Sequence, residues 1–333
     1  MDFRVLQAQN RRRTAALVAV FIVVFGALGF GLDFLAGDLA IVNGRLVGFP
    51  LLTIAALIFA GFQSLLSFYG GTSLILLSVH ARELTPDTPK HQMVLDVVRE
   101  MAIASRMPVP KAYIMDDPAP NAFATGRDPD HSVVCVTSGL VEQMDREELQ
   151  GVLGHEMAHI RDYDIRTMMM IAILVGGIAM LSDFVFRWMF FGGWGGTRIS
   201  RDSGDSNNDS GAIMAVLVIL LAILAPLFAQ IIAMAVSRER EYLADASSVE
   251  FTRNPRALLR ALEHIAQIES PLKQGTRGTA HLFIVSPLSR DSDDREGFFD
   301  NLFSTHPPLK SRIARLRAMA GASAAPSSAP AQP

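Results

Sequence analysis

The run Asp145-Arg146-Glu147-Glu148-Leu149-Gln150-Gly151-Val152-Leu153-Gly154-His155-Glu156-Met157-Ala158-His159-Ile160 decides how this chain is read. Asp145 stands in the N-cap position of a helix, and Glu148 sits where a capping box needs it. Residues four apart on such a helix share a face. With a rise of about 1.5 Å per residue, His155 and His159 lie about 6 Å apart along the axis, so both imidazoles can share one metal ion. Glu156 flanks that face. A carboxylate there reaches a water on the metal without replacing it, and zinc lowers the pKa of such a water from about 15.7 to about 7. Glu156 then fits a general base that takes the proton during attack on a peptide carbonyl and passes it to the leaving amine.

The chain has 8 histidines in 333 residues, and an H-E-x-x-H string arises by chance in roughly one such chain in a hundred. A third ligand is therefore needed, because catalytic zinc takes three protein ligands and keeps one position open. Ser237-Arg238-Glu239-Arg240-Glu241-Tyr242-Leu243-Ala244-Asp245 supplies a candidate. Glu241 is placed to bind the metal. Asp245, one helical turn on, is placed to accept a hydrogen bond from the far nitrogen of a ligand histidine, which fixes its tautomer and ring direction. The same acidic residues could instead form a solvated face paired with Arg238 and Arg240. His80, His91, His131, His264 and His281 have no partner at ligand spacing and read as surface or packed residues. Cys135, the one cysteine, reads as a buried apolar thiol.

Half of the residues are hydrophobic and mean hydropathy is +0.29, which points to lipid. Uncharged apolar runs extend over residues 15–32, 46–79, 168–181 and 212–236. The first, second and fourth are long enough to cross a bilayer. The third is short, and spans only if Asp183 and Arg187 are tolerated near the interface. Arg4, Arg11, Arg12 and Arg13 precede the first run, and Arg82, Lys90, Arg99, Arg106 and Lys111 follow the second. The positive-inside rule puts both flanks in the cytoplasm. A cleaved signal peptide is the alternative for the first run, which is long for one. Glu241 and the two histidines must share a compartment. An even number of crossings therefore separates them, and the third run spans if the fourth does. A net charge of −3 and a pI of about 6.2 give no footprint for nucleic acid.

Taken together, these residues resemble the HtpX-type membrane metalloproteases, bacterial relatives of the CAAX prenyl proteases. The resemblance rests on the His155–His159 run, on Glu241-x-x-x-Asp245, on Asn121-Ala122-Phe123-Ala124 and on Ser304-Thr305-His306-Pro307-Pro308-Leu309. It covers residues 15 to 317. It implies an α+β, mostly helical, zincin-like metalloprotease core with a small β-sheet, attached to about four transmembrane helices. It also implies a zinc endopeptidase with one Zn2+ per chain in the cytoplasmic (inner) membrane, acting on protein substrates, membrane or misfolded proteins among them, in quality control under stress. By the same resemblance Asn121, Ala122, Phe123 and Ala124 form an edge strand that pairs with an extended substrate. Asn121 and His306 are implied to steady the oxyanion. Asp164 fits the family pattern without an assigned role, and Arg312 is a candidate to face the site.

The expected organisation has an N-terminal anchor of two spans over residues 1–79 and a first part of the core over 80–166. Two further spans follow over 167–236, with an external loop near 192–211. The second part of the core covers 237–320, and a disordered tail 321–333. A processing protease with one substrate, a catalytically idle zinc-binding scaffold and a four-span transporter are the competing readings. Glu156 speaks against the scaffold, which has no need of it. The spans carry only Asp183 and Arg187 as ionisable groups, too few for a transporter.

Overall fold

The computed structural model describes residues 3–42, 45–187, 238–268, 282–285 and 307–324. In chain order its first elements are helix α1 (Phe3–Ala36), strands β1 (Leu39–Val42) and β2 (Arg45–Gly48), and helix α2 (Leu51–Ser78). Strand β3 (Arg82–Glu83), helix α3 (Pro89–Ser105) and strands β4 (Lys111–Met115), β5 (Ala122–Gly126) and β6 (Ser132–Thr137) follow. The remaining helices are α4 (Ser138–Gln143), α5 (Arg146–Arg161), α6 (Asp164–Arg187), α7 (Arg238–Thr252), α8 (Pro255–Ala266) and α9 (Leu309–Ala324). The chain forms two compact units. One comprises Met1–Asn10, Thr72–Met169 and Met234–Pro333, the other Arg11–Gly71 and Met170–Ala233.

In the second unit α1 and α2 approach closely at Gly29, where a Cβ would stand 2.7 Å from the Thr53 Cα. The buried Asp33 caps α2, accepting from the Leu52 and Thr53 amides at 2.7 Å each and from the Thr53 hydroxyl at 2.6 Å. A carboxylate there satisfies orphan N–H groups and meets the positive end of the helix dipole. Residues 5–36 and 51–78 are each long and apolar enough to cross a membrane, and only 28% and 17% of their most apolar windows are buried. Core helices would be covered, whereas here Val23, Ile58, Phe62, Leu65 and Leu77 stand exposed.

The second apolar run, read from Leu46, becomes helical only at Leu51. Arg45–Gly48 instead pair antiparallel with Leu39–Val42. Pro50 precedes the helix, where its missing N–H goes unused, and Gly70-Gly71 does not interrupt it. The third run belongs to a longer helix: α6 continues through Asp183 to Arg187, and its 24 residues measure about 36 Å. The helix α9 continues through Gly321 to Ala324, into the stretch read as tail, because alanine favours helix. The fourth run, the 192–211 loop and residues 325–333 lie outside the described residues.

The first unit holds a four-stranded sheet in the order β3-β4-β6-β5. The strands β4 and β6 are parallel, and β5 pairs antiparallel with β6, Phe123 opposite Cys135. Among the described residues β5 is an edge strand by pairing, yet all five of its residues are buried. Cys135 is fully buried, and burial pushes its thiol pKa up. The helix α3 starts at Thr88, whose side chain accepts from the His91 amide. Asp145 and Glu148 form the reciprocal capping box of α5.

Every residue of α5 from Gly151 to Ile160 is buried, its two histidines and Glu156 included, so the polar groups among them need partners within the protein. It packs on α3, β5, α7 and α8. Small residues permit the crowding. A Cβ on Gly151 would stand 2.4 Å from the Leu258 amide nitrogen, and one on Gly154 3.0 Å from Ser248 Oγ. Ser248 also donates to the Gly151 carbonyl at 2.6 Å. Gly151→Ala is therefore expected to destabilise the protein by about 1–3 kcal/mol through overpacking. Gly321→Ala, a position with nothing within 4 Å, should be neutral or stabilising by up to about 1 kcal/mol. Chemical unfolding in detergent checks both.

Candidate active site

The capping box sets where α5 begins, and its 3.6-residue turn then brings His155 and His159 onto one face. Their Nε2 atoms are 3.2 Å apart. Glu241 enters from α7, with Oε2 3.6 Å from His155 Nε2 and Oε1 3.6 Å from His159 Nε2. One donor atom from each residue lies within 4.8 Å of the other two, and all three residues are buried.

Each histidine is oriented from behind by a carboxylate. Asp245 Oδ1 is 3.0 Å from His155 Nδ1, and Asp164 Oδ2 is 3.1 Å from His159 Nδ1. Each carboxylate is held in turn by a buried arginine. Arg312 donates to Asp245 through Nε at 3.0 Å and Nη2 at 2.6 Å, and Arg240 Nη1 donates to Asp164 at 2.7 Å. Such partners hold a ligand ring in the tautomer and direction that coordination needs. Asp164 reaches its place because Tyr163 turns the chain in the left-handed region, φ 63°, at a cost of about 1–2 kcal/mol for a non-glycine residue.

The electrostatics follow from burial. Burial favours the neutral form of His159, but the hydrogen bond to Asp164 and the charge of Glu241 prevail and raise its pKa to about 9. For His155, burial and Arg312 oppose protonation while Asp245 and Glu241 favour it, and the net direction is up. Burial raises the Glu156 pKa against the pull of both histidines. Burial also opposes ionisation of Asp245, but Arg312 outweighs it and holds the carboxyl at about 2.

The residues fit a divalent cation. Glu156, Asp164, Glu241 and Asp245 bring four negative charges, Arg240 and Arg312 two positive ones. With neutral imidazoles a net charge of minus two faces the space between the three donors. Two imidazoles and a carboxylate form a donor set that zinc accepts. Glu156 Oε1 is buried without a hydrogen-bond partner among the described residues, as suits a group held ready for a water. The Ala124 amide reaches the same carboxyl group, so β5 runs past Glu156.

Asn121 lies just before β5 and is buried. Its side chain donates to the Val285 carbonyl at 2.8 Å and accepts from the Ala122 amide at 3.0 Å. The Ala122 carbonyl accepts from the Ile284 amide at 2.9 Å, and Phe123 meets Phe283 edge-on, centroids 5.0 Å apart. The expected edge is thus partly paired by the chain's own residues 282–285. His306 lies outside the described residues. Arg312 touches the site, donating also to the Ile284 carbonyl at 2.7 Å. The sequence left Asp164 without a role, and gave Arg240 one only in the alternative of a solvated face paired with the acidic residues. Their positions beside His159 and Glu241 in sequence were the signals available.

The profile of peptidase family M48 matches residues 89–320. A protease HtpX homolog of Lactobacillus helveticus is 41% identical over 313 residues, which cover 94% of this chain and 98% of the relative. One from Tropheryma whipplei is 39% identical over 312 residues, covering 94% and 97%. Among solved structures, the crystal structure of S. mikatae Ste24p aligns with a TM-score of 0.48 and 18% identity. This chain is covered to 91% in that alignment and spans 62% of the Ste24p chain.

A histidine pKa raised to about 9 means that metal must displace a proton below that pH. Apparent metal affinity should therefore rise at least about tenfold per pH unit up to about pH 9 and then flatten. Calorimetry in buffers of different ionisation enthalpy reads the released proton. In chelated protein the same shift stabilises the fold fully below about pH 6.5 and fades as pH rises through about 9. The Tm of the chelated form should fall across that window, and zinc should abolish the fall.

Proposed function

The chain belongs to peptidase family M48 and is a membrane metalloprotease, and from that premise we propose that it is a zinc endopeptidase acting at the cytoplasmic face of the membrane. The observation that carries this reading is the convergence of His155, His159 and Glu241 within 4.8 Å, with Glu156 beside them. We propose these three as the zinc ligands and Asp245 as the residue that orients His155. Bound zinc supplies Lewis acidity, polarising the scissile carbonyl and bringing the pKa of water down to about 7.

The chain's own groups do the rest. Glu156 accepts the proton of the attacking water as its oxygen bonds to the peptide carbon, then delivers that proton to the amine as the C–N bond breaks. Asn121 and His306 are proposed as donors to the developing oxyanion. Asn121 would have to release Val285 to act so. An extended substrate is proposed to add to β5 along Ala122–Ala124, with backbone hydrogen bonds holding it and side-chain pockets selecting it. Pairing at the Ala122 carbonyl would require Ile284 to yield. A site reached by extended segments suits unpaired or misfolded membrane proteins, and a quality-control role follows from that.

The proximity of His159 and Glu241 supports an even number of crossings between them. We propose that α6 and residues 212–236 both cross, giving four spans with the N-terminus and the zinc in the cytoplasm. We also propose the division into an anchor over 1–79, core parts over 80–166 and 237–320, intervening spans over 167–236 and a tail over 321–333.

Purified protein in detergent with zinc is expected to degrade casein, and chelation to stop it. Glu156→Gln should lose activity by about 100- to 10,000-fold while still binding zinc. Equal activity in both proteins would reject Glu156 as the base. For topology, single cysteines near residue 200 should react with an impermeant thiol reagent from outside intact cells. Buried Cys135 gives little background, and labelling only after the cytoplasm is opened would reject the four-span arrangement.

A further inference from the structure

The hydrogen bonds behind His159 end on a residue that no motif reading reaches. Asn10 lies in α1, just ahead of Arg11-Arg12-Arg13, and is only 2% exposed. Its side-chain nitrogen donates to Asp164 Oδ1 at 2.6 Å and to the Asp162 carbonyl at 2.8 Å. Its oxygen accepts from Arg240 Nη1 at 3.0 Å, the same nitrogen that donates to Asp164 Oδ1. Asn10, Asp164 and Arg240 therefore close a buried triangle.

The triangle divides the work of the Asp164 carboxylate. Oδ1 takes the two donors of the triangle, and Oδ2 is left facing His159 Nδ1. Without Asn10 the carboxylate keeps Arg240 alone on that side and is free to rotate toward it, drawing Oδ2 away from the imidazole. Arg240 at the same time loses an acceptor in a place where an unmet guanidinium donor is costly. Holding the helix in place does not need this amide. Gln7, on the same helix, donates instead to the Arg161 carbonyl at 2.8 Å.

We propose that Asn10 is a positioning residue for the metal site, acting on His159 through Asp164, so that metal affinity depends on the N-terminal turns of α1. The proposal rests on the reading of His155, His159 and Glu241 as the ligands. Because α1 continues into an apolar segment long enough to cross a membrane, the residue that tunes the ligand belongs to the anchor helix itself. A catalytic part produced without residues 1–79 would lack it.

The test uses the full-length protein in detergent, loaded with Zn2+ or with Co2+ as a spectroscopic probe. It compares wild type with Asn10→Ala, Asn10→Asp and Gln7→Ala. Asn10→Asp keeps the size and the acceptor for Arg240 but sets a carboxylate oxygen against Asp164 Oδ1 and the Asp162 carbonyl in place of the donor, so it perturbs Asp164 by repulsion where Asn10→Ala does so by loss. Both Asn10 variants are expected to bind Zn2+ about tenfold more weakly, to shift the Co2+ visible bands and to lower kcat with KM unchanged. Gln7→Ala, which loses a docking bond only, should match wild type in affinity and spectrum. Wild-type affinity and spectrum in the Asn10 variants would overturn the proposal. So would a Gln7→Ala protein that matches them, since Asn10 would then merely dock the helix. His155→Ala that binds Zn2+ as wild type does would overturn the ligand reading itself, and the proposal with it.

Discussion

Four carboxylates and two guanidinium groups are buried around a pair of imidazoles, and charges packed so densely out of water must each face an opposite charge. Removing one partner from such a cluster costs about 3–5 kcal/mol, because it leaves an uncompensated buried charge. Arg312 on Asp245 and Arg240 on Asp164 meet this requirement in parallel, one pair behind each histidine. Glu241 is left to face both imidazoles where the three donor atoms converge. The cluster is also what ties the chain together. Its members come from α5, α6, α7 and α9, and Asn10 of α1 joins them through Asp164 and Arg240.

The crowding of α5 follows from the same constraint. A helix that carries His155, Glu156 and His159 on one side brings its histidine face to α7 while its other faces fill the core. Gly151 and Gly154 let α8 and α7 come close enough. The capping box secures the register of the helix at its far end. The sheet then contributes position rather than chemistry: β5 passes Glu156, and the Ala124 amide reaches its carboxyl group. The pairing of Ile284 with Ala122 shows that this strand has backbone groups able to hold an extended segment.

The sequence alone determined whatever depends on local periodicity. His155 and His159 share a face because helical turns put residues four apart together, whatever surrounds them. Asp145 and Glu148 cap α5 because both partners lie within one turn. Residues 15–32 and 46–79 are recognisably long and apolar. Strand β6, Ser132–Thr137, is rich in β-branched residues, and the edge strand near Asn121–Ala124 was expected from the family resemblance. The β1–β2 hairpin was not, although Asn43-Gly44 is a turn dipeptide, because apolar continuity merged Leu46–Gly48 into the run that follows.

The tertiary structure decided which long-range partners complete the site. Glu241 could be proposed from its spacing to Asp245, but only packing brings it within 3.6 Å of both histidines. Nothing in the sequence near Asn10 sets it apart, and for Arg240 and Arg312 the sequence offered a neighbouring Glu241 and a family resemblance but no partner. Asp164 looked like a helix-terminal residue until the left-handed turn at Tyr163 brought it behind His159. A histidine pair four residues apart is fixed by the geometry of one helix. The hydrogen bonds behind those imidazoles join residues more than 150 positions apart in the case of Asn10 and Asp164, and such pairs exist only once the elements that carry them have packed.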